Sequence, residues 1–510
     1  MPITVHRAGL LAALCLPPKR LGGRRHLVGT HRTNPLSRAH LRTSVKESDG
    51  DEHDLGTPEN ANTLRDDRRH VGMQRVQPVR RNERATSARA LRALAVGVTV
   101  VAVLAGAIDN AAAALPPGNA AQQWDQIAED TVVGSGAFQG EGFVYMAYVS
   151  QAMHGAVNPG ERNGQSPDAA VTEAAYRILV HHFPAREPDL TALHDAALAA
   201  IPAGPARRNG IKHGALAANQ VLRDRAGDGL QTPIASTSPF QTLASGPGVW
   251  RLTPSAYAAP QTPWMAKVRP FWLKRPGQFQ PEPPPSLSSP SWVAAFDEVK
   301  SLGAAASTKR TAEQTAIALF WTANVVRQYN GLARSIATSM RLDVPRTTRL
   351  LAMTNEVGAD AMIAMFDAKY HHLFWRPVTA IDPTSVTSDG FGPAPGFDDR
   401  NPATVEQAGW TPLIPTPNHP EYPSAHSTIS SAIVEVLTRF LGTDAIDVDL
   451  QGTPSFTVTR HFATADDLRA EVNDARVWAG VHYRFSVQAG SALGREVADY
   501  DLSHRFCTHH

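Results

Sequence analysis

Cysteine is nearly absent from this chain of 510 residues: there are two, Cys15 near the start and Cys507 near the end. That excludes a scaffold built on disulfides, a zinc ribbon and a cysteine nucleophile. No uncharged apolar run reaches the roughly 20 residues that a membrane-spanning helix needs; the longest, Ala93–Ile108, is sixteen residues. Alternation of apolar and polar residues at period two is scarce, so few strands are expected. Net charge is also low, at +2, but it is unevenly spread. Residues 1–92 hold 18 Lys+Arg against 9 Asp+Glu, which leaves 31 against 38 for the remainder. The apparent basicity belongs to the leader, and the body of the protein is anionic. Its basic residues do not cluster with aromatics along a groove, so nucleic acid is not indicated as a partner.

The leader has the layout of an export signal. Arg75, Arg80, Arg81, Arg84, Arg89 and Arg92 form a basic flank, Ala93–Ile108 an apolar stretch, and Ala112–Ala114 a small-residue cleavage site. Signal flanks are short, whereas 92 residues precede this one. Met73 as the working start resolves the mismatch: residues 1–72 are then a disordered upstream extension and 73–114 a signal peptide. A secreted, periplasmic or otherwise extracytoplasmic location follows, with no stable membrane span in the mature protein.

From Pro116 onward, apolar residues recur at intervals of three and four. Helices are predicted over 168–182, 189–201, 210–225, 291–306, 310–342 and 346–369, giving an all-α fold. Pro270–Pro290 contains seven prolines, too many for a helix or a central strand. The mature chain therefore divides into an N-terminal helical region (115–235), a proline-rich connector (236–290) and a C-terminal helical bundle (291–510).

Three places in the last region carry chemistry. Lys369 follows Met365 by four positions, which brings an ammonium to the inward side of a helix's last turn, where it needs a partner. Seven residues later Pro377 holds Arg376 in an extended conformation. In the second place, prolines 415, 417, 420 and 423 keep the chain extended until Ser424 caps a helix. The first-turn N–H groups of Ala425 and His426, with the helix dipole behind them, suit an oxyanion, and His426 stands beside it as an acid or base. In the third, a capping box at Thr464–Asp467 starts a helix that carries Arg476, Gly480 stops it, and His482 lies just beyond. A bound tetrahedral oxyanion would gather three cations that otherwise repel one another.

These residues resemble a known signature. Lys369-x6-Arg376-Pro377, Pro423-Ser424-Ala425-His426 and Arg476-x3-Gly480-x-His482 are similar, in order and spacing, to the three-part motif of vanadium-dependent haloperoxidases and type 2 phosphatidic-acid phosphatases. The resemblance implies two four-helix bundles with the active site in the C-terminal one. It implies vanadate as cofactor, with His482 as its axial metal ligand and Lys369, Arg376, Ser424, the Ala425 N–H and Arg476 around its oxygens. His426 would move protons. Hydrogen peroxide would oxidise halide to a hypohalous species that halogenates a small organic acceptor, with Lys369 also polarising the peroxide. A homo-oligomer stays open.

Three positions depart from the pattern, one of them Ala475, which replaces the serine before Arg476. Ala425 stands where the family carries glycine, and Ser486 where it carries an aspartate that would orient His482; Ser486 is the expected, weaker substitute. His419, seven residues before His426, occupies a place where the bromoperoxidases carry histidine, which favours bromide over chloride. A soluble acid phosphatase, with His482 as nucleophile and His426 as general acid, uses the same residues. So does a protein that binds the oxyanion without turnover.

Overall fold

The computed structural model describes residues 114–157, 164–232, 246–385, 398–452 and 458–506, all within one compact unit. The expected upstream extension and, apart from Ala114, the expected signal lie outside these residues. Among them the protein is helical, with one short hairpin.

Four helices of the N-terminal region pack on one another: α1 (Ala120–Gly134), α2 (Gln139–Ala156), α3 (Pro167–His182) and, after α4 (Glu187–Ala199), α5 (Pro205–Arg225). Local chemistry starts them. Asn119 and Gln122 form a capping box on α1, and Ser166 caps α3 with Pro167 in its first turn. Gly210 and Gly214 let α5 approach α3, because a Cβ at either would collide with the α3 backbone.

The connector then runs through two 3-10 turns, Pro263–Lys267 and Pro276–Phe279. It is followed by α6 (Pro290–Leu302), α7 (Ala312–Phe320) and α8 (Val325–Ser339). The single helix expected over 310–342 is therefore broken. Trp321 is fully buried and its Nε1 donates to Glu471 Oε1 at 3.0 Å, while the Asn324 side chain accepts from the Val326 and Arg327 N–H groups and opens α8. Apolar period alone cannot see such a cap inside a continuous pattern.

The second bundle comprises α9 (Val344–His372), α11 (Ala425–Leu441), α12 (Ala465–Trp478) and α13 (Arg484–Arg505). The short α10 (Pro377–Ile381) lies between α9 and α11, and an antiparallel hairpin pairs β1 (Val448–Gln451) with β2 (Thr459–Phe462), Val448 opposite Phe462. Helix α9 is buried on nearly all sides, as a central helix must be. Its other face meets α2: Gly358 admits the Phe143 ring beside Ile429. Full burial of Phe143 stabilises by about 1.5–3 kcal/mol. One continuous apolar core thus includes residues of both bundles.

Candidate active site

Each side chain of the motif sits at the end of a helix. Lys369 is in the last turn of α9, which stops where Leu373 takes a left-handed conformation. Arg376, extended at φ −82°, ψ 155°, is the N-cap of α10, so Pro377 begins a short helix as well as ending the previous conformation. Ser424 caps α11, its hydroxyl accepting from the Ser427 N–H. Arg476 is near the end of α12, and Gly480, at φ +79°, turns the chain toward His482. Glycine is required there because a side chain would run into the Gly303 backbone. Helices α11 and α13 approach closely at Gly490, where a Cβ would lie 2.6 Å from the Ser424 carbonyl oxygen. That contact holds the Ser424 N–H on the Ser486 carbonyl, 3.1 Å away, beside the turn that carries His482.

Lys369, Arg376, Ser424, Arg476 and His482 are buried to 2% exposure or less. Arg376 is the hub. Its Nη1 donates to the Val481 carbonyl at 2.7 Å and lies 3.3 Å from His482 Nε2; its Nε donates to the His419 carbonyl, and its Nη2 lies 3.0 Å from His419 Nδ1. A guanidinium has no acceptor, so His482 Nε2 presents its lone pair to it, whereas His419 Nδ1 stands between Arg376 and the Pro420 carbonyl, 3.1 Å away. Arg476 Nη1 donates to the Trp321 carbonyl at 2.9 Å, an oxygen set free by the break between α7 and α8. Lys369 Nζ donates to the carbonyls of Pro420, Glu421 and Pro423 at 2.9, 2.9 and 2.5 Å. The expected partner for this ammonium was an anion; three loop carbonyls supply part of that role.

His482 has a partner that the sequence reading did not find. Its Nδ1 lies 2.8 Å from Oε1 of the fully buried Glu421, which also accepts from the Tyr483 N–H at 3.0 Å. Ser486 Oγ, the expected substitute for the motif's aspartate, is farther, at 3.4 Å. His419 is buried rather than solvated, with Phe138 and Phe366 packed edge-on against it at ring-centroid distances of 6.1 and 5.6 Å. Phe138 precedes α2, so the first bundle supplies a wall of the site.

Burial depresses every base here, and the neighbouring cations add to it. The Lys369 ammonium is pushed well below its usual range by burial and then by Arg376. Arg476 is pushed down to about 9 by burial and Arg376, and Arg376 to about 10 by burial, against the pull of Glu421. The His426 and His482 imidazoles are held neutral by burial and by Arg476, Lys369 and Arg376 around them. Burial raises Glu421 to about 7 against the pull of Arg376 and Lys369. His426 Nε2 and Arg476 Nε are buried without a hydrogen-bond partner. Orphaned donors and crowded cations cost stability. A multiply charged oxyanion relieves both, and the residues present therefore fit vanadate. Among the described residues no three His, Cys, Asp or Glu side chains are grouped to hold a bare metal ion; this site offers imidazoles set among cations instead.

Residues 349–507 match the family model of the VCPO second helical-bundle domain, the stretch from within α9 through α13 that contains every motif residue of the site. Over this C-terminal bundle the chain is similar to the vanadium haloperoxidases. Vanadium chloroperoxidase from Curvularia inaequalis is 26% identical over 288 residues, 44% of this chain and 46% of that protein; the chain thus aligns with about half the length of this curated relative. A solved bacterial vanadium-dependent iodoperoxidase shares the fold with a TM-score of 0.60 at 22% identity, covering 76% of this chain and 97% of that one. An apo-type bacterial vanadium-dependent chloroperoxidase does so with a TM-score of 0.54 at 16% identity, over 71% and 93% of the two chains.

Within this site, the motif accounts for the cations and both imidazoles. It does not account for Glu421, which stands 61 positions before His482. Nor does it contain Trp321, Phe138 or Phe366. Glu421 had one signal available: a carboxylate set among Pro420, Tyr422 and Pro423, immediately before the cap, in a segment too constrained to be a solvated loop.

Proposed function

We propose that the chain oxidises halide with hydrogen peroxide at a vanadate cofactor, bromide in preference to chloride, and delivers a hypohalous species to a small organic acceptor. The observation that carries this reading is the meeting of three buried cations from separate helix ends around a neutral imidazole whose lone pair faces one of them. Lys369, Arg376, Arg476, Ser424 and the Ala425 N–H would hold the oxyanion, and His482 Nε2 would be its protein ligand. When bound, vanadate supplies the Lewis acid that makes peroxide electrophilic. Halide loses two electrons, the O–O bond breaks, and one peroxide oxygen leaves as water once protonated. His426 Nε2, buried and unpartnered, is the group placed to carry that proton.

Phe138, Phe366 and His419 form an aromatic wall beside Arg376. A polarisable, weakly hydrated anion is better suited than chloride to such a wall, which supports the preference for bromide. The leader's basic-then-apolar layout supports an extracytoplasmic location, and no helix among the described residues is long and apolar enough to cross a membrane.

The deciding experiment loads metal-free protein with orthovanadate and measures bromination of a phenolic acceptor with and without peroxide. Activity that requires both is expected. A lone pair on His482 also suits attack on phosphorus, so phosphate-ester hydrolysis without bromination would replace this reading by the acid phosphatase. Binding of vanadate with neither activity would leave a binding protein.

A further inference from the structure

Glu421 and Ser486 flank the same nitrogen. Nδ1 of His482 is 2.8 Å from Glu421 Oε1 and 3.4 Å from Ser486 Oγ, and Ser486 Oγ also reaches the Glu421 carbonyl, at 3.5 Å. All three residues are buried to 1% exposure or less. The family motif puts a carboxylate at 486, on the same helix end as the histidine. Here position 486 is a serine, whose hydroxyl carries no charge, and a carboxylate reaches the nitrogen from a different segment.

We infer that Glu421 is the positioning residue for His482, a carboxylate relocated from the α13 side of the histidine to the proline-rich loop that leads into α11. This rests on the proposed vanadate site and deepens it. Nδ1–H donates to Glu421, so the lone pair of Nε2 is left for the cation nest. Arg376, which can only donate, faces Nε2 at 3.3 Å, and the two contacts together admit one tautomer. The Tyr483 N–H on the same carboxylate oxygen fixes the carboxylate against the turn that carries the ring. The Glu421 carbonyl meanwhile accepts from Lys369. One residue thus ties the ligand, a cation of the nest and the approach to the Ser424 cap, so the loop's shape and the imidazole's orientation are set together.

The relocation makes a specific prediction about position 486. With Glu421 present, a second carboxylate there is redundant and meets a like charge; with Glu421 removed, it should take over. The test measures orthovanadate binding to metal-free protein by equilibrium dialysis, alongside thermal unfolding, for wild type, E421Q, E421A, S486D and E421A/S486D. Outer-shell partners of metal-bound histidines typically contribute ~10–100-fold to affinity. E421Q, which keeps an acceptor and loses the charge, should weaken binding by about 10-fold and E421A by up to about 100-fold. S486D alone should gain no affinity and melt earlier. E421A/S486D should recover to within about 10-fold of wild type, a rescue that loss of a merely structural contact would not produce.

Should the E421 single variants fail to fold, the double variant decides: a folded, vanadate-binding E421A/S486D supports the assignment. One that stays unfolded, or binds no better than E421A, overturns it, as does undiminished vanadate affinity in E421A. If wild type binds no vanadate, the proposed cofactor fails and the assignment with it. If wild type binds vanadate without brominating, the proposed reaction fails while the positioning result stands.

Discussion

Helix α9 carries two buried charged centres that obey opposite rules. Midway along it, Glu356 and Asp360 lie on one face, with Asp501 of α13 close enough to repel both. Asp360 is heavily partnered, accepting the N–H groups of Phe271, Trp272 and Leu273 at 2.6, 2.8 and 3.0 Å, and Glu356 accepts from the Trp272 indole at 2.6 Å. This centre pins the connector to the bundle. At the helix's end, Lys369 joins Arg376 and Arg476, where like charges depress one another and donors remain unfilled. Asp360 and one oxygen of Glu356 are satisfied by groups the chain itself supplies, with Glu356 Oε1 and both Asp501 oxygens left over, whereas the basic centre is organised around something the chain does not contain. Buried charge satisfied from within is architecture; buried charge left short of counter-charge points to a ligand.

Four substitutions bear on that contrast. H482A removes the proposed metal ligand itself, so vanadate affinity should fall by more than the ~100-fold upper cost of losing an outer-shell partner, with folding preserved. Equilibrium dialysis and far-UV circular dichroism check both halves. At the acidic centre the sign reverses. D360N replaces a carboxylate that takes three N–H groups by an amide that sets its own donors against them, and should cost about 3 kcal/mol in urea unfolding. Activity per folded molecule should be unchanged. Intermediate in size is R476M, which removes a guanidinium that has one carbonyl partner and an unpartnered Nε. Without oxyanion the variant should be about 1–2 kcal/mol more stable than wild type. Its vanadate affinity should drop roughly 10–100-fold, as expected for lost hydrogen bonds to a charged group. A destabilised R476M would show that the nest is structural after all.

How much of this was legible beforehand follows from range. Local signals were readable: the Ser424 cap, the Thr464–Asp467 capping box and the Gly480 stop all stand where the sequence puts them. Their spacing also singled out the three cations and two histidines. What escaped depended on contacts distant in sequence. The break after Phe320 was hidden by an unbroken apolar period and is set by the Trp321–Glu471 bond and the Asn324 cap. Glu421 was hidden because its role exists only once the loop before α11 folds onto the turn after α12. The carbonyls around Lys369 carry no sequence identity at all; they are a property of backbone shape. His419 drew attention by its offset from His426, yet its burial between Phe138 and Phe366 depends on a residue from the other bundle.

The smallest expected effect concerns Asp501, whose two carboxylate oxygens are both buried without a partner. Burial raises its pKa well above the usual range, and Asp360 and Glu356 raise it further; burial likewise lifts Glu356 to about 7 and Asp360 to about 6. The folded state therefore holds protons here that the unfolded chain has already released. Stability from this group is greatest at or below its unfolded pKa and declines as pH rises toward the folded one. D501N removes that dependence. Relative to wild type it should be nearly neutral at about pH 4, the unfolded Asp pKa, and should raise the melting temperature at about pH 8, by an amount that grows across the interval. The difference between the two proteins is the quantity to follow, since the buried histidines of the active site impose an opposite slope on both and cancel. A gap that stays constant with pH would mean Asp501 is ionised and compensated in the native state, and the acidic centre would then be no better satisfied from within than the nest at the other end of α9.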